Sequence, residues 1–275
     1  MKKIIISLSL VLVFVFSFLT IKPALAEECV RYLMPCFSEV TQTESIVYKE
    51  TTDINGNPIS LSLIVVEPKG DSLEKRPMVI WIHGGGFISG KKERMLGRCI
   101  AYAKMGYVAV TIQYRLSATD KSSWVETDTM KRAVNDAVED ARSAVDWLRA
   151  HASEYRIDTN QMFIGGSSAG AITSLHVVYQ DDGWNKTGMK GVIDLWGALL
   201  SDVQIDSSEP PVIIIHGTED TTVPFKLSLS LVKKLKEAKV PYQFYPVKGV
   251  GHGVPAPQGQ AFHYVEALFI YQYLE

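Results

Sequence analysis

From about residue 45 to the C-terminus, short runs of β-branched and aromatic residues alternate with longer stretches whose apolar positions recur every three or four residues. This alternation constrains the fold more than any other feature. A strand, a helix and a further strand can only return to the same sheet in parallel, so the repeated pattern builds a parallel sheet covered by helices on both faces. The pattern predicts strands at 45–48, 59–66, 78–82, 107–114, 162–165, 191–196, 212–215 and 242–247. The first two meet at the turn signal Asn55-Gly56 and form a hairpin. Helices are predicted over 130–149, from about 169, over 225–237 and over 260–274, with a short buried one around 99–102. In the first of these, Val134, Ala137, Val138, Ala141, Val145 and Leu148 make an apolar stripe flanked by charged residues, which packs one face on the sheet. Sites in such sheets lie at the carboxyl ends of the strands.

The first 26 residues are of another kind. Lys2 and Lys3 precede a run, 4–21, that carries no charge, and Pro23 then leads into Ala24-Leu25-Ala26. That order is a secretory signal peptide, 1–26, followed by a single domain, 27–275, exported to the periplasm or outside the cell. The same run is long enough to span a bilayer as an uncleaved anchor. Cleavage after Ala26 removes three of the 28 Lys and Arg and none of the 30 Asp and Glu, leaving a net charge of −5. Such a balance argues against nucleic acid, and against stable membrane association once the leader is gone. Oligomeric state is open. The three cysteines are Cys29, Cys36 and Cys99. Export permits a disulfide, and Cys29 with Cys36, the two nearest in sequence, is the expected pair, pinning an otherwise loose N-terminus. Three reduced thiols are the alternative. No Cys/His spacing suggests a metal, and no cofactor is expected.

Gly166-Ser167-Ser168-Ala169-Gly170 fits G-x-S-x-G at the junction of a predicted strand and helix, where a tight turn lifts the serine clear of the sheet. Only Ser168 has glycine on both sides at the required spacing. The pattern alone arises by chance about one time in ten in a chain this long, so its context carries the weight. A serine hydroxyl needs a base. His252, in the Gly249-Val250-Gly251-His252-Gly253 loop between the last strand and last helix, is placed for that role. His151, His176 and His263 lie on helices, while His83 and His216 precede glycines at strand ends and are expected to brace their loops. The base needs a carboxylate. Asp220, just after a strand, is on the correct edge, with Glu219 and Asp202 as competitors. An anion site is expected from the glycine loop 83–87 together with the N–H of Ala169, because bare backbone admits close approach by a ligand.

With these elements assembled, the chain resembles the hormone-sensitive-lipase-like and carboxylesterase branches of the α/β-hydrolase superfamily. The matching pieces are HGGGF at 83–87, GSSAG at 166–170, HGTEDTTVP at 216–224 and GVGHG at 249–253. The resemblance implies an α/β-hydrolase fold with a mostly parallel central sheet and helices on both faces. It implies a catalytic domain over 27–275, the triad Ser168, Asp220 and His252, and an oxyanion hole from Gly85, Gly86 and Ala169, with His83 holding the loop. Those branches usually carry Asp or Glu where this chain has Ser167, and many carry a helical cap. Only 197–211 separates two late strands, so no large cap domain is expected and the site is read as open, with 115–127, including Trp124, as one wall.

The expected activity is hydrolysis of short acyl or aryl esters of small molecules through an acyl-enzyme, with feruloyl or acetyl esters of polysaccharide as an alternative substrate. A serine peptidase on the same fold is one competing reading, thioester or polyester hydrolysis another. A non-catalytic binding protein is the reading of a different class.

Overall fold

The computed structural model describes residues 29–119, 126–256 and 258–275, so the 1–26 leader reading, its cleavage point and Trp124 lie outside the described residues. Nine strands form one sheet: β1 (Val40–Gln42), β2 (Ile46–Thr52), β3 (Pro58–Pro68), β4 (Arg76–Ile82), β5 (Val108–Ile112), β6 (Ile157–Ser167), β7 (Met189–Leu195), β8 (Val212–Gly217) and β9 (Tyr242–Val247). Their order is β1-β3-β5-β4-β6-β7-β8-β9. β2 pairs with β3 along the same edge as β1, since Leu63 and Val66 both face β5 on the other side. The β2–β3 hairpin turns at Asn55-Gly56 as expected, Gly56 adopting φ 83°. β3 runs antiparallel to β5, and all pairings from β5 through β4, β6, β7 and β8 to β9 are parallel.

Among the described residues five α-helices cover the sheet: α1 (Leu96–Met105), α2 (Asp128–Ala150), α3 (Ala169–Tyr179), α4 (Lys226–Ala238) and α5 (Gln258–Gln272). The core divides by face. Val134, Ala141, Leu175, Leu231 and Leu235 of α2, α3 and α4 pack with Ile80, Ile164 and Ile214 on one side. Cys99, Tyr102, Phe269 and Ile270 of α1 and α5 pack with Trp81, Ile193 and Ile215 on the other. Every residue of β4, β5 and β8 is buried, which is why these strands read as continuous apolar runs without alternation. Trp81 lies under the Arg98 guanidinium, 4.7 Å from its ring, and beside Tyr102. α2 begins where Thr127 accepts the Met130 N–H at 3.2 Å, closing one of the open donors of the first turn.

The structure corrects several boundaries. β6 begins at Ile157, five residues before its predicted start, because the polar stretch 157–161 is held by pairing of Ile157 with Arg76 and not by apolar alternation. β1, three residues long and mostly exposed, has no periodicity to betray it. The helix around Cys99 extends over ten residues and stops at Gly106, which takes φ 108°.

Cys29 and Cys36 are joined, and Cys99 is a buried free thiol. The segment they bracket is not loose. Tyr32 N–H bonds to Met105 O at 2.8 Å, and Cys36 and Phe37 N–H groups bond to Lys104 O at 2.7 and 2.9 Å, closing the end of α1. Arg31 is paired with Asp71, and the Tyr107 hydroxyl donates to Tyr32 O at 2.7 Å. The disulfide thus adds to an anchored segment. Replacing Cys29 and Cys36 by Ser should cost about 2 kcal/mol of loop-closure entropy, lowering Tm by about 4–8 °C. Calorimetry decides this. Loss of cooperative unfolding in the variant would show that the bridge holds more than its own loop.

Candidate active site

The site forms where the carboxyl ends of the central strands meet the helices that follow them. Ser168 occupies the turn from β6 to α3 with φ 55° and ψ −122°, a backbone region that costs a non-glycine residue about 1–3 kcal/mol. The turn is possible because its neighbours carry no side chain. A Cβ on Gly170 would stand 2.1 Å from Ile82 O, and one on Gly166 2.5 Å from the same oxygen. A Cβ on Gly84 would stand 2.7 Å from Ser167 O. The end of β4, the glycine loop and the serine turn therefore meet backbone against backbone.

The Ser168 hydroxyl donates to His252 Nε2 at 2.9 Å, and His252 Nδ1–H donates to Asp220 Oδ2 at 2.7 Å. Asp220 is fully buried at its side chain, while His252 is about a quarter exposed. The other carboxylate oxygen, Oδ1, accepts the N–H groups of Thr222 at 2.9 Å and Val223 at 3.0 Å. The structure thus brings together the three residues that the motifs pointed to. Asp202 is elsewhere, paired with Lys131 at the surface, and Glu219 is exposed.

The loop 83–87 lies beside the serine turn. Gly85 and Gly86 adopt φ 132° and 64°, and among the described residues their N–H groups, like that of Ala169, donate to no protein acceptor. His83 is buried, donates from Nδ1 to Gly84 O at 2.8 Å and stacks on Tyr114 at 4.5 Å, so it braces the loop. Burial holds its pKa below the ordinary histidine value. His176 is likewise structural: its Nε2 accepts the Leu200 N–H, and burial pushes its pKa down to about 4. His151 stacks on Trp147. His263 lines a separate cavity, with its pKa lowered to about 4 by burial and then by Arg98.

Three features escaped the sequence reading. His216 was expected only to brace its loop, yet it reaches Asp220; its spacing of four from Asp220 was the available signal. Trp196, just past β7, takes φ 48° and lines a groove of about 590 Å³ with residues 249–255 beside His252. Val254 and Trp196 also border the cavity of about 220 Å³ that holds His263, Phe262 and the Arg98–Glu266 pair. Asp194 shapes the Trp196 turn: it is buried, and its Oδ1 accepts the Gly197 N–H at 2.7 Å. Among the described residues its other oxygen has no protein partner, and burial pushes its pKa up to about 7.

A family model described as BD-FAE matches residues 64–186, the part holding the glycine loop and Ser168. A model of the prolyl oligopeptidase family matches residues 198–274, the part holding Asp220 and His252. Gut esterase 1 of Caenorhabditis elegans is 33% identical over 113 residues, 40% of this chain and 19% of that protein. A probable carboxylic ester hydrolase, LipM of Mycobacterium tuberculosis, is 23% identical over 215 residues, 62% of this chain and 47% of that protein. The chain therefore spans from about a fifth to just under half of these relatives' length. Thermogutta terrifontis esterase 2, phosphonylated by cyclosarin, superposes with TM-score 0.69 at 24% identity over 83% of this chain and 93% of that one, and shares the fold. Structures of that enzyme with propionate or butyrate bound superpose with TM-scores of 0.65 and 0.63. The chain has the α/β-hydrolase fold and is similar over parts of its length to carboxylic ester hydrolases.

The raised pKa of Asp194 makes stability depend on pH. An unfolded Asp ionises near 4, whereas the folded carboxyl keeps its proton to about pH 7. The folded state therefore binds the extra proton across this window. The stabilisation is fully present below pH 4 and is lost as pH rises to 7. Asp194→Asn removes the titration, so the Tm of the variant minus that of the native protein should rise from pH 4.5 to pH 8. A difference that stays flat across that range contradicts the assignment.

Proposed function

We propose that this α/β-hydrolase is an exported carboxylic ester hydrolase that acts on short acyl or aryl esters through an acyl-enzyme on Ser168. The observation that carries the reading is the hydrogen-bonded chain from Ser168 through His252 to the buried Asp220. His252 is a base by its tautomer: with Nδ1–H committed to Asp220, Nε2 presents its lone pair to the serine hydroxyl. Transfer of that proton frees Ser168 Oγ to attack the ester carbonyl carbon. The carbonyl oxygen becomes an anion facing the N–H groups of Ala169, Gly85 and Gly86, where each donor is worth about 10²–10³ in rate. His252 then returns the proton to the leaving alcohol, which departs on its side, along the groove walled by Trp196 and residues 249–255. Water repeats the sequence on the acyl-serine.

Short acyl groups fit an open site. Among the described residues, no helix interrupts 197–211, the stretch between β7 and β8. The likeness to an esterase seen with propionate and butyrate points the same way. Export is supported by the charged start, the apolar run and Ala24-Leu25-Ala26. A second reading, peptide hydrolysis, is favoured by the prolyl oligopeptidase match over 198–274.

Ser168→Ala should lower turnover by about 10⁶ while leaving the fold intact, whereas Ser167→Ala should keep most of the activity. Titration with a fluorophosphonate and peptide mapping must find Ser168 labelled; label on another serine sinks the proposal. On p-nitrophenyl esters, acetate or butyrate should be turned over faster than decanoate or longer. Faster cleavage of a peptide anilide than of any ester in that series would favour the second reading.

A further inference from the structure

Asp220 Oδ2 serves two histidines. Besides His252, it lies 3.1 Å from Nε2 of His216, a residue at the end of β8 with no exposed surface. That same Nε2 is 2.9 Å from Val223 O. Both neighbours are acceptors, so Nε2 must carry a hydrogen. The opposite nitrogen, Nδ1, is 2.6 Å from the hydroxyl of Ser228 on α4 and accepts from it. His216 is thus fixed as the neutral Nε2–H tautomer from both ends. Its titratable neighbours are Asp220, on the loop after β8, and His252, on the loop after β9. From α4 it meets Ser228, and the Phe225 ring lies edge-on to it at 5.8 Å. Burial keeps its pKa below the usual histidine value.

We infer that His216 is a positioning residue of the proposed esterase, whose Nε2–H shares Asp220 Oδ2 with His252 and so limits how strongly the carboxylate holds a proton on the base. This rests on the reading of Ser168, His252 and Asp220 as the catalytic set. With His216 in place the carboxylate accepts four hydrogen bonds: two N–H groups on Oδ1 and two imidazoles on Oδ2. Its charge is divided among them. A carboxylate that leaned on His252 alone would favour the imidazolium more strongly. His252 would then remain protonated at higher pH and act as a base over a narrower range. Fixing Oδ2 from a second direction also sets the plane in which His252 Nδ1–H must point, and hence the aim of Nε2 at Ser168.

The test is the pH dependence of kcat/KM on a p-nitrophenyl ester. His216→Leu, which removes the donor, should move the acid limb upward by about half to one pH unit and lower kcat several-fold, with KM nearly unchanged. His216→Gln places an amide N–H near the position of Nε2 and should restore most of both. His216→Asn is too short to reach Asp220 and should behave as the Leu variant. An acid limb that stays put in the Leu and Asn variants overturns the inference, as does a Gln variant no better than Leu. Where the variants do not fold, the native protein still decides. With ¹⁵N-labelled histidine, one buried imidazole should hold the neutral Nε2–H form at pH 7. A charged or Nδ1–H His216 under those conditions overturns the inference. Failure of the underlying reading looks different: Ser168→Ala would then keep its activity.

Discussion

The structure depends on one close approach of backbone to backbone. Gly166 and Gly170 lay the start of α3 directly against Ile82 O at the end of β4, closer than any Cβ would permit. Only this contact allows the chain to leave β6, turn through a positive φ at Ser168 and enter a helix within one residue. Because β4 and β6 are adjacent, the contact also brings the glycine loop after β4 beside the serine. The proposed anion site and nucleophile are therefore consequences of the same packing. Neither can be moved without the other.

What the turn places at the surface, the next strands must complete. The loop after β8 buries Asp220, and a buried carboxylate is costly unless its lone pairs are filled. Thr222 and Val223 N–H groups and two imidazoles fill them. Stability and function ask for the same partners here. The contrast with Asp194 is instructive. It is equally buried but has a single backbone donor, and it answers burial by keeping its proton, with a pKa of about 7.

The sequence made the parallel sheet legible because β4, β5 and β8 are buried on both faces and so are uniformly apolar. The proposed triad was legible because each member stands past the end of a strand, in a stretch that contains glycine: Ser168 in GSSAG, Asp220 in HGTED, His252 in GVGHG. Less visible were elements held by backbone pairing alone, such as β1 and the polar start of β6. The anchoring of the N-terminal segment was hidden for the same reason. It depends on carbonyls freed at the end of α1, and every sequence has carbonyls. His216 was visible as a residue, but its two-sided tautomer depends on Ser228 reaching it from α4, a contact between elements that no local pattern encodes.

The strain in the site is held by a repeated device. Ser168 and Trp196 both follow a strand end and both take positive φ without being glycine. Each donates its backbone N–H to a carbonyl at the end of the neighbouring strand: Ser168 to Leu195 O at 2.9 Å, Trp196 to Ile215 O at 2.8 Å. β6 is thus tied to β7, and β7 to β8, at the level where the chemistry is proposed to occur. Thr218 continues the series, donating to Val247 O at the end of β9 at 3.0 Å. The staggered carbonyls of a parallel sheet offer such an acceptor at each step along its edge. A strained residue placed there is locked by the next strand, and that strand's own loop carries the next part of the site. The order of the strands is therefore also the order in which the proposed nucleophile, the groove wall, the proposed carboxylate and the proposed base are set in place.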